Sequence, residues 1–266
     1  MAITHRRLLA TTLVAGLALL AAWTPARGAE PAPAPTATAP NIIFVLVDDL
    51  AWNLVPYLPQ VRQLQAEGAT FTNYTVTDSL CCPSRSSILT GQFPHDTGVF
   101  TNGGADGGFA VFKGRGNENR TFATALQDKG YRTGFLGKYL NGYLPADTQG
   151  GSLPYVPPGW SEWYVAGNGY SGYNYDLNEN HTVVHYGNQP ADYLTNVLSR
   201  KGKDFIQRSA AANTPFLLEV STFAPHSPFT PANQDLDDFP GLTAHAPRRT
   251  TGCPPTRRPG WPATGR

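Results

Sequence analysis

Four groups of side chains in this sequence could do chemistry together. The first is Cys81-Cys82-Pro83-Ser84-Arg85. Pro83 suits the opening turn of a helix, and the unpaired amides of a helix start beside Cys81 would favour an anion. Arg85 follows Cys81 by four residues, close to one helical turn, so both side chains can face one site. Taken alone, the two cysteines also fit a buried inert pair or a metal-binding dithiol, and the arginine an ordinary surface position. The second group is Asp48-Asp49, at the end of an apolar run. Adjacent carboxylates repel, and a hard divalent cation is the simplest way to hold them together; the alternative is a helix cap with a solvated neighbour. The third is Lys138, which follows an apolar segment and could reach over a sheet edge to an anion, although most lysines simply sit in water. The fourth is His226, between Pro225 and Pro228, where a lone histidine is more often held by backbone than used as an acid or base.

The elements that must position these groups follow from periodicity. Asn41 to Asp49 is apolar on both faces and reads as a central parallel strand covered by helices, with the acid pair at its carboxyl end, where open α/β sheets place their ligands. Leu58 to Glu67 has helical spacing and stops at Gly68; Ala69 to Val76 reads as extended and leads into a helix begun by the cysteine pair. Phe122 to Lys129 is helical in pattern, Tyr131 to Leu136 is a strand, Asp192 to Ile206 is a helix capped by Asp192, and Pro215 to Ser221 is a second buried strand. Leu144 to Gln189 has few clean periods and many Tyr, Trp, Gly and Asn residues. Its rings and amides suit a sugar or aryl ligand, or form an ordered insertion whose aromatics pack on one another.

Cys81, Pro83, Ser84, Arg85, Leu89, Thr90 and Gly91 fill every fixed position of the pattern Cys-x-Pro-Ser-Arg-x-x-x-Leu-Thr-Gly, and on that stretch the chain resembles the formylglycine-dependent sulfatases. Matching seven residue types by chance has odds of about one in a billion per starting position. The resemblance implies an alkaline-phosphatase-like fold, a mostly parallel sheet sandwiched by helices, and the hydrolysis of sulfate esters. It also implies that Cys81, rather than Cys82, is oxidised before folding to formylglycine (3-oxoalanine). A hydrated aldehyde carries two hydroxyls on one carbon, so one can attack sulfur while the other later loses its proton and expels sulfate. By the same resemblance Asp48, Asp49 and modified Cys81 bind Ca²⁺, with Mg²⁺ as the alternative, through hard oxygens. Arg85 steadies the hydrate, Lys138 contacts hydrate and sulfate, and His226, in Pro225-His226-Ser227-Pro228, meets the sulfate or the leaving oxygen. His95, in Pro94-His95-Asp96-Thr97-Gly98-Val99, resembles a family segment in which it is either a substrate contact or held by backbone. Lys138-Tyr139-Leu140-Asn141 stands where many members have Trp-His after the lysine. It resembles the subgroup that includes N-acetylglucosamine-6-sulfatases, with Asn141 as a candidate polar contact. The implied partners are a sulfated small molecule or glycan and, during maturation, the formylglycine-generating enzyme.

A formal net charge of +1 over 266 residues argues against nucleic acid or an anionic membrane as the main partner. Three cysteines, two adjacent, do not make a disulfide scaffold. Residues 1–28 have a basic start with Arg6-Arg7, an apolar run and small residues near Ala29, the pattern of a Sec or twin-arginine signal peptide, and the run is too short for a stable membrane anchor. The expected address is extracytoplasmic or secreted. Residues 29–40 read as a Pro/Ala-rich linker, and 41–244 as the N-terminal part of a catalytic domain. Residues 245–266 contain five prolines and five arginines but no Asp, Glu, Leu, Ile or Val, a composition that cannot build a core strand or helix. The resemblance would place further strands there, with an Asp-Asn or Asp-His pair completing the metal site and a second lysine. Their absence leads us to expect a truncated or frameshifted member of the family. Two alternatives to a working sulfatase are an inactive fragment and a phosphoester or phosphonate hydrolase of the same superfamily.

Overall fold

The computed structural model describes residues 39–242. The stretch read as a signal peptide, most of the stretch read as a linker, and residues 245–266 lie outside the described residues. Six strands form one sheet: β1 (Ile42–Leu46), β2 (Arg132–Lys138), β3 (Glu162–Ala166), β4 (Tyr175–Glu179), β5 (Thr182–Tyr186) and β6 (Phe216–Ser221). Their spatial order is β1-β6-β2-β3-β4-β5. The first four in that order are parallel, and β4 and β5 add an antiparallel hairpin beside β3. The sheet is therefore mixed and mostly parallel, as expected.

Helices cover both faces. On one side lie α2 (Cys81–Thr90), α4 (Gly108–Gly114) and α5 (Phe122–Gln127), over a core of Leu89, Phe109, Phe112, Phe135, Trp160 and Trp163. On the other, α6 (Leu194–Ala211) turns Leu194, Val197, Leu198, Gly202 and Phe205 inward at helical spacing, against Leu136, Phe216 and Leu218. Two short elements, α1 (Pro59–Glu67) and α3 (Pro94–Thr97), complete the helices. Leu217 packs in the first core and Leu218 in the second, the two-residue alternation of a strand buried on both faces.

Three expectations need correction. β1 is an edge strand among the described residues, not a central one; with no described strand on its outer side, Ile43 and Val45 are 52% and 58% exposed. Ala69 to Val76 forms no strand, because no neighbouring strand pairs with it. The 144–189 stretch, read as loops, contains β3, β4 and β5. Its aromatics divide between the two readings: Trp160, Trp163 and Tyr175 are buried core residues, whereas Tyr170 faces the site described next. Boundaries also shift. Lys138 is the last residue of β2 rather than a residue past it, and Pro190–Asp192 is a separate 3₁₀ turn before α6.

Candidate active site

Adjacent parallel strands bring distant residues to one end of the sheet. The carboxyl end of β1 delivers Asp48, that of β2 delivers Lys138, and the loop after β6 delivers His226; these strands are neighbours in the order β1-β6-β2. The amide of Thr222 donates to the Leu46 carbonyl (2.9 Å), carrying the β1–β6 pairing one step past the strands and holding the His226 loop beside the acid pair. Gly137, at φ +103°, precedes Lys138, and a Cβ there would overlap the Ser221 carbonyl oxygen. Only glycine lets β2 approach β6 so closely at the base of the site.

Asp48 is the electrostatic centre. It is 4% exposed, and each of its oxygens meets a cation: Oδ1 accepts from Arg85 Nη2 (3.1 Å) and Oδ2 from Lys138 Nζ (2.6 Å). Arg85 Nη1 also donates to the Lys138 carbonyl (2.7 Å), tying α2 to the end of β2. Burial opposes the charge on Lys138, but its hydrogen bond and charge pairing with Asp48 outweigh that cost and hold its pKa above the ordinary lysine value. The side chain remains an ammonium at neutral pH. One carboxylate against two fixed cations leaves a buried positive excess, the field an anionic group would meet.

Cys81 stands at the first position of α2 and is half-buried; Cys82 is fully buried. The Cys82 amide donates to Asn102 Oδ1 (2.8 Å), satisfying one of the free donors at the helix start. Burial pushes the Cys82 thiol up to about 11, so it stays protonated and unreactive. Asp48, Cys81 and His226 each offer a ligand atom within 4.8 Å of the other two. Asp49 departs from the expected pair. Its backbone is left-handed at φ 60°, which an Asp tolerates, and its half-exposed carboxylate lies 3.5 Å from His226 Nε2.

Two expected contacts lie differently. His95 is exposed, stacks on Phe93 and sits 3.5 Å from Asp96; it makes no polar contact with Asp48, Cys81, Arg85, Lys138 or His226. The Asn141 amide donates to Tyr170 Oη (3.5 Å), while its own oxygen is buried without a partner. The residue that sequence reading did not single out is Tyr170. Its ring lies 4.7 Å from the His226 ring, 5.0 Å from Phe223 and 4.8 Å from Lys138 Nζ, a cation–π contact against a desolvated ammonium. A cleft of 220 Å³ opens beside it, lined by Tyr170, Tyr193, Phe223, His226 and Phe229. The only signal for Tyr170 was the aromatic bias of its segment.

The fold and the site define an open α/β protein with a cation-rich pocket at the carboxyl ends of its parallel strands, the place where such sheets bind ligands. The sulfatase family model matches residues 40–251. The chain belongs to the sulfatase family. It is 39% identical over 211 residues to an N-acetylglucosamine-6-sulfatase of Capra hircus, covering 77% of this chain and 37% of that one. It is 38% identical over 214 residues to the extracellular sulfatase SULF-1 homolog of Drosophila melanogaster, covering 77% and 18%. A solved structure of a protein in complex with its substrate D-glucosamine-2-N,6-O-disulfate superposes with TM-score 0.62 at 25% identity, covering 79% of this chain and 39% of the other. The chain thus spans less than two fifths of the length of these relatives, and the likeness confirms the expected alkaline-phosphatase-like architecture.

Proposed function

We propose that this chain carries the N-terminal part of a sulfuric ester hydrolase, residues 41–244, acting on sulfated glycans or aryl sulfates. The observation that supports it most is the convergence of Asp48, Cys81, Arg85, Lys138 and His226, from four separate parts of the chain, on one buried cationic pocket. Arg85 and Lys138 would bind the sulfate oxygens and offset the charge that grows on them. His226 Nδ1 lies 2.7 Å from the Ser227 carbonyl and must donate to it, which aims Nε2 into the site; as an imidazolium it would pass a proton to the leaving oxygen. Tyr170, Phe223 and the adjoining cleft suit the flat face of a sugar or aryl ring. The relatives' names and Lys138-Tyr139-Leu140-Asn141 favour an amino-sugar 6-sulfate. Modification belongs to Cys81, which fills the first position of the motif, and not to Cys82, which fills a variable one.

The donor set fits a hard divalent cation in part. Asp48 and the oxygen that modification would place at Cys81 would hold Ca²⁺ or Mg²⁺, with Asp49 beside them, and the ion would supply Lewis-acid activation of the modified residue. Among the described residues the clustered ligands number three, short of the six to eight oxygens typical of Ca²⁺. The second reading is a folded but inactive fragment. Export follows the signal-peptide pattern, and the formylglycine-generating enzyme is the expected maturation partner.

The test begins with mass spectrometry of the Cys81 peptide from a host containing the maturation enzyme. Conversion to the aldehyde lowers the mass by about 18 Da. An intact thiol defeats the reading of Cys81. Converted protein is then compared on aryl sulfate and aryl phosphate, and faster phosphate turnover would favour the phosphoester alternative. Thermal melting with and without Ca²⁺ separates the fragment reading, since a working site raises stability by about 2.7 kcal/mol at a hundredfold excess over Kd.

A further inference from the structure

We propose that the chain in its unmodified thiol form holds a zinc-class transition metal through Cys81 Sγ, a carboxylate oxygen of Asp48 and His226 Nε2. This site differs in chemistry from the oxygen-lined site of the modified enzyme and stands whether or not the sulfatase reading holds. The three ligand atoms lie within 4.8 Å of one another. A tetrahedral zinc with bonds of about 2.0–2.3 Å sets its ligands roughly 3.3–3.8 Å apart, so closure needs about 1 Å of side-chain adjustment. A sulfur, an imidazole nitrogen and a carboxylate form a borderline-soft set that selects zinc or cobalt over calcium.

A second observation points to a cation independently. His226 Nδ1 is 2.7 Å from the Ser227 carbonyl, which can only accept, so Nδ1 carries a proton. Such a bond is the outer partner that fixes the tautomer of metal-binding histidines. In that tautomer Nε2 presents its lone pair to the pocket, and the Asp49 carboxylate 3.5 Å away adds negative charge beside a bound cation. Arg85 and Lys138, already paired with Asp48, offset the negative charge of a thiolate. Binding breaks the Cys81 S–H bond, releases its proton to solvent and forms a sulfur–metal bond with no change of oxidation state. Conversion of Cys81 replaces sulfur by oxygen and removes the soft ligand, so the same pocket would change its metal preference on maturation.

The experiment uses the full chain carrying Cys253→Ser, made in a host without the maturation enzyme, with the Cys81 thiol confirmed by mass. Co²⁺ alone is titrated and then displaced by Zn²⁺. The expected result is a near-ultraviolet thiolate-to-cobalt charge-transfer band that saturates at one equivalent and is erased by zinc. Cys81→Ser abolishes the band, His226→Gln weakens cobalt binding about tenfold or more, and Cys82→Ala leaves it unchanged; circular dichroism verifies that each variant is folded. Without any variant, Zn²⁺ should slow alkylation of Cys81 by iodoacetamide. The proposal is overturned by folded protein that shows no band, a band that survives Cys81→Ser, or alkylation of Cys81 indifferent to zinc. A failed conversion of Cys81 would count against the sulfatase reading and leave this one untouched.

Discussion

Glu219 shows how far one residue can depart from the rule of its element. It sits in β6, 2% exposed, where Ser221 Oγ donates to Oε1 (2.9 Å) and Oε2 is buried with no partner. Burial raises its pKa from 4.5 to about 7, with Ser221 and the Arg85 charge pulling only weakly the other way. The folded value lies above the unfolded one, so the neutral carboxyl stabilises the fold fully below about pH 4.5, and that contribution is lost as pH rises through 7. The difference amounts to roughly 3 kcal/mol. Glu219→Gln should therefore flatten the stability profile between about pH 5 and 8 and be more stable than the parent at the alkaline end. Urea denaturation at both ends checks this, and equal slopes for parent and variant would refute it. Asp48 is the opposite case, a buried charge with two partners. Asp48→Ala strands Arg85 and Lys138 as uncompensated cations and should cost about 3–5 kcal/mol, read as a fall in the urea midpoint. The chemistry of these residues was legible from type and motif: Asp48, Cys81, Arg85, Lys138 and His226 were all candidates before any coordinates. Their pairing was not, because Asp48 and Lys138 are 90 residues apart and no local pattern encodes which cation a carboxylate meets.

At the scale of elements, the join between β2 and β6 governs the site. Gly137 lies between Leu136, packed in one core, and Lys138, turned into the pocket. Gly137→Ala forces a Cβ against the Ser221 backbone at a left-handed φ. We expect a loss of at least about 2 kcal/mol together with weaker sulfate binding, because Lys138 moves with the strand. Thermal melting and sulfate protection of that melt measure both effects; an unchanged melting temperature would show that β2 and β6 can separate without cost. Helix α2 illustrates why its motif was readable: Pro83 near its start and Gly91 at its end, in the left-handed conformation at φ 69°, are local signals of helix boundaries. Strands β3 to β5 were missed for the opposite reason. Their residues alternate poorly because Glu162, Asn178 and Tyr175 are buried through partners, with Glu162 bonded to Arg132 and Arg208 and Asn178 to Tyr143. Hydrophobic periodicity does not register a polar side chain whose partner comes from elsewhere.

For the described residues taken together, the consequential feature is the outer edge of β1, which no described strand pairs. Clefts of 630 and 390 Å³ flank it, one lined by Phe44, Leu46 and Ile88, the other by Ile43, Val45 and Ile206. An apolar edge strand with unpaired backbone on its outer side is a template for association. The chain should self-associate with rising concentration, and Val45→Lys should reduce this without altering the Asp48 pocket, whose contacts come from the ends of the strands. Sedimentation velocity of the two proteins checks it; identical profiles would remove the edge from consideration. By itself the sequence determined the family, the α/β class, the candidate nucleophile and most candidate site residues, because these depend on a contiguous motif and on short-range periodicity. Only the tertiary structure decided that β1 lies at an edge among the described residues, that Asp49 stands outside the three-ligand cluster with its carboxylate 3.5 Å from His226, that His95 stands outside the polar network, and that Tyr170 walls the pocket. Each of those facts depends on which strands become neighbours, a choice made by burial across the whole sheet rather than by any residue's local preference.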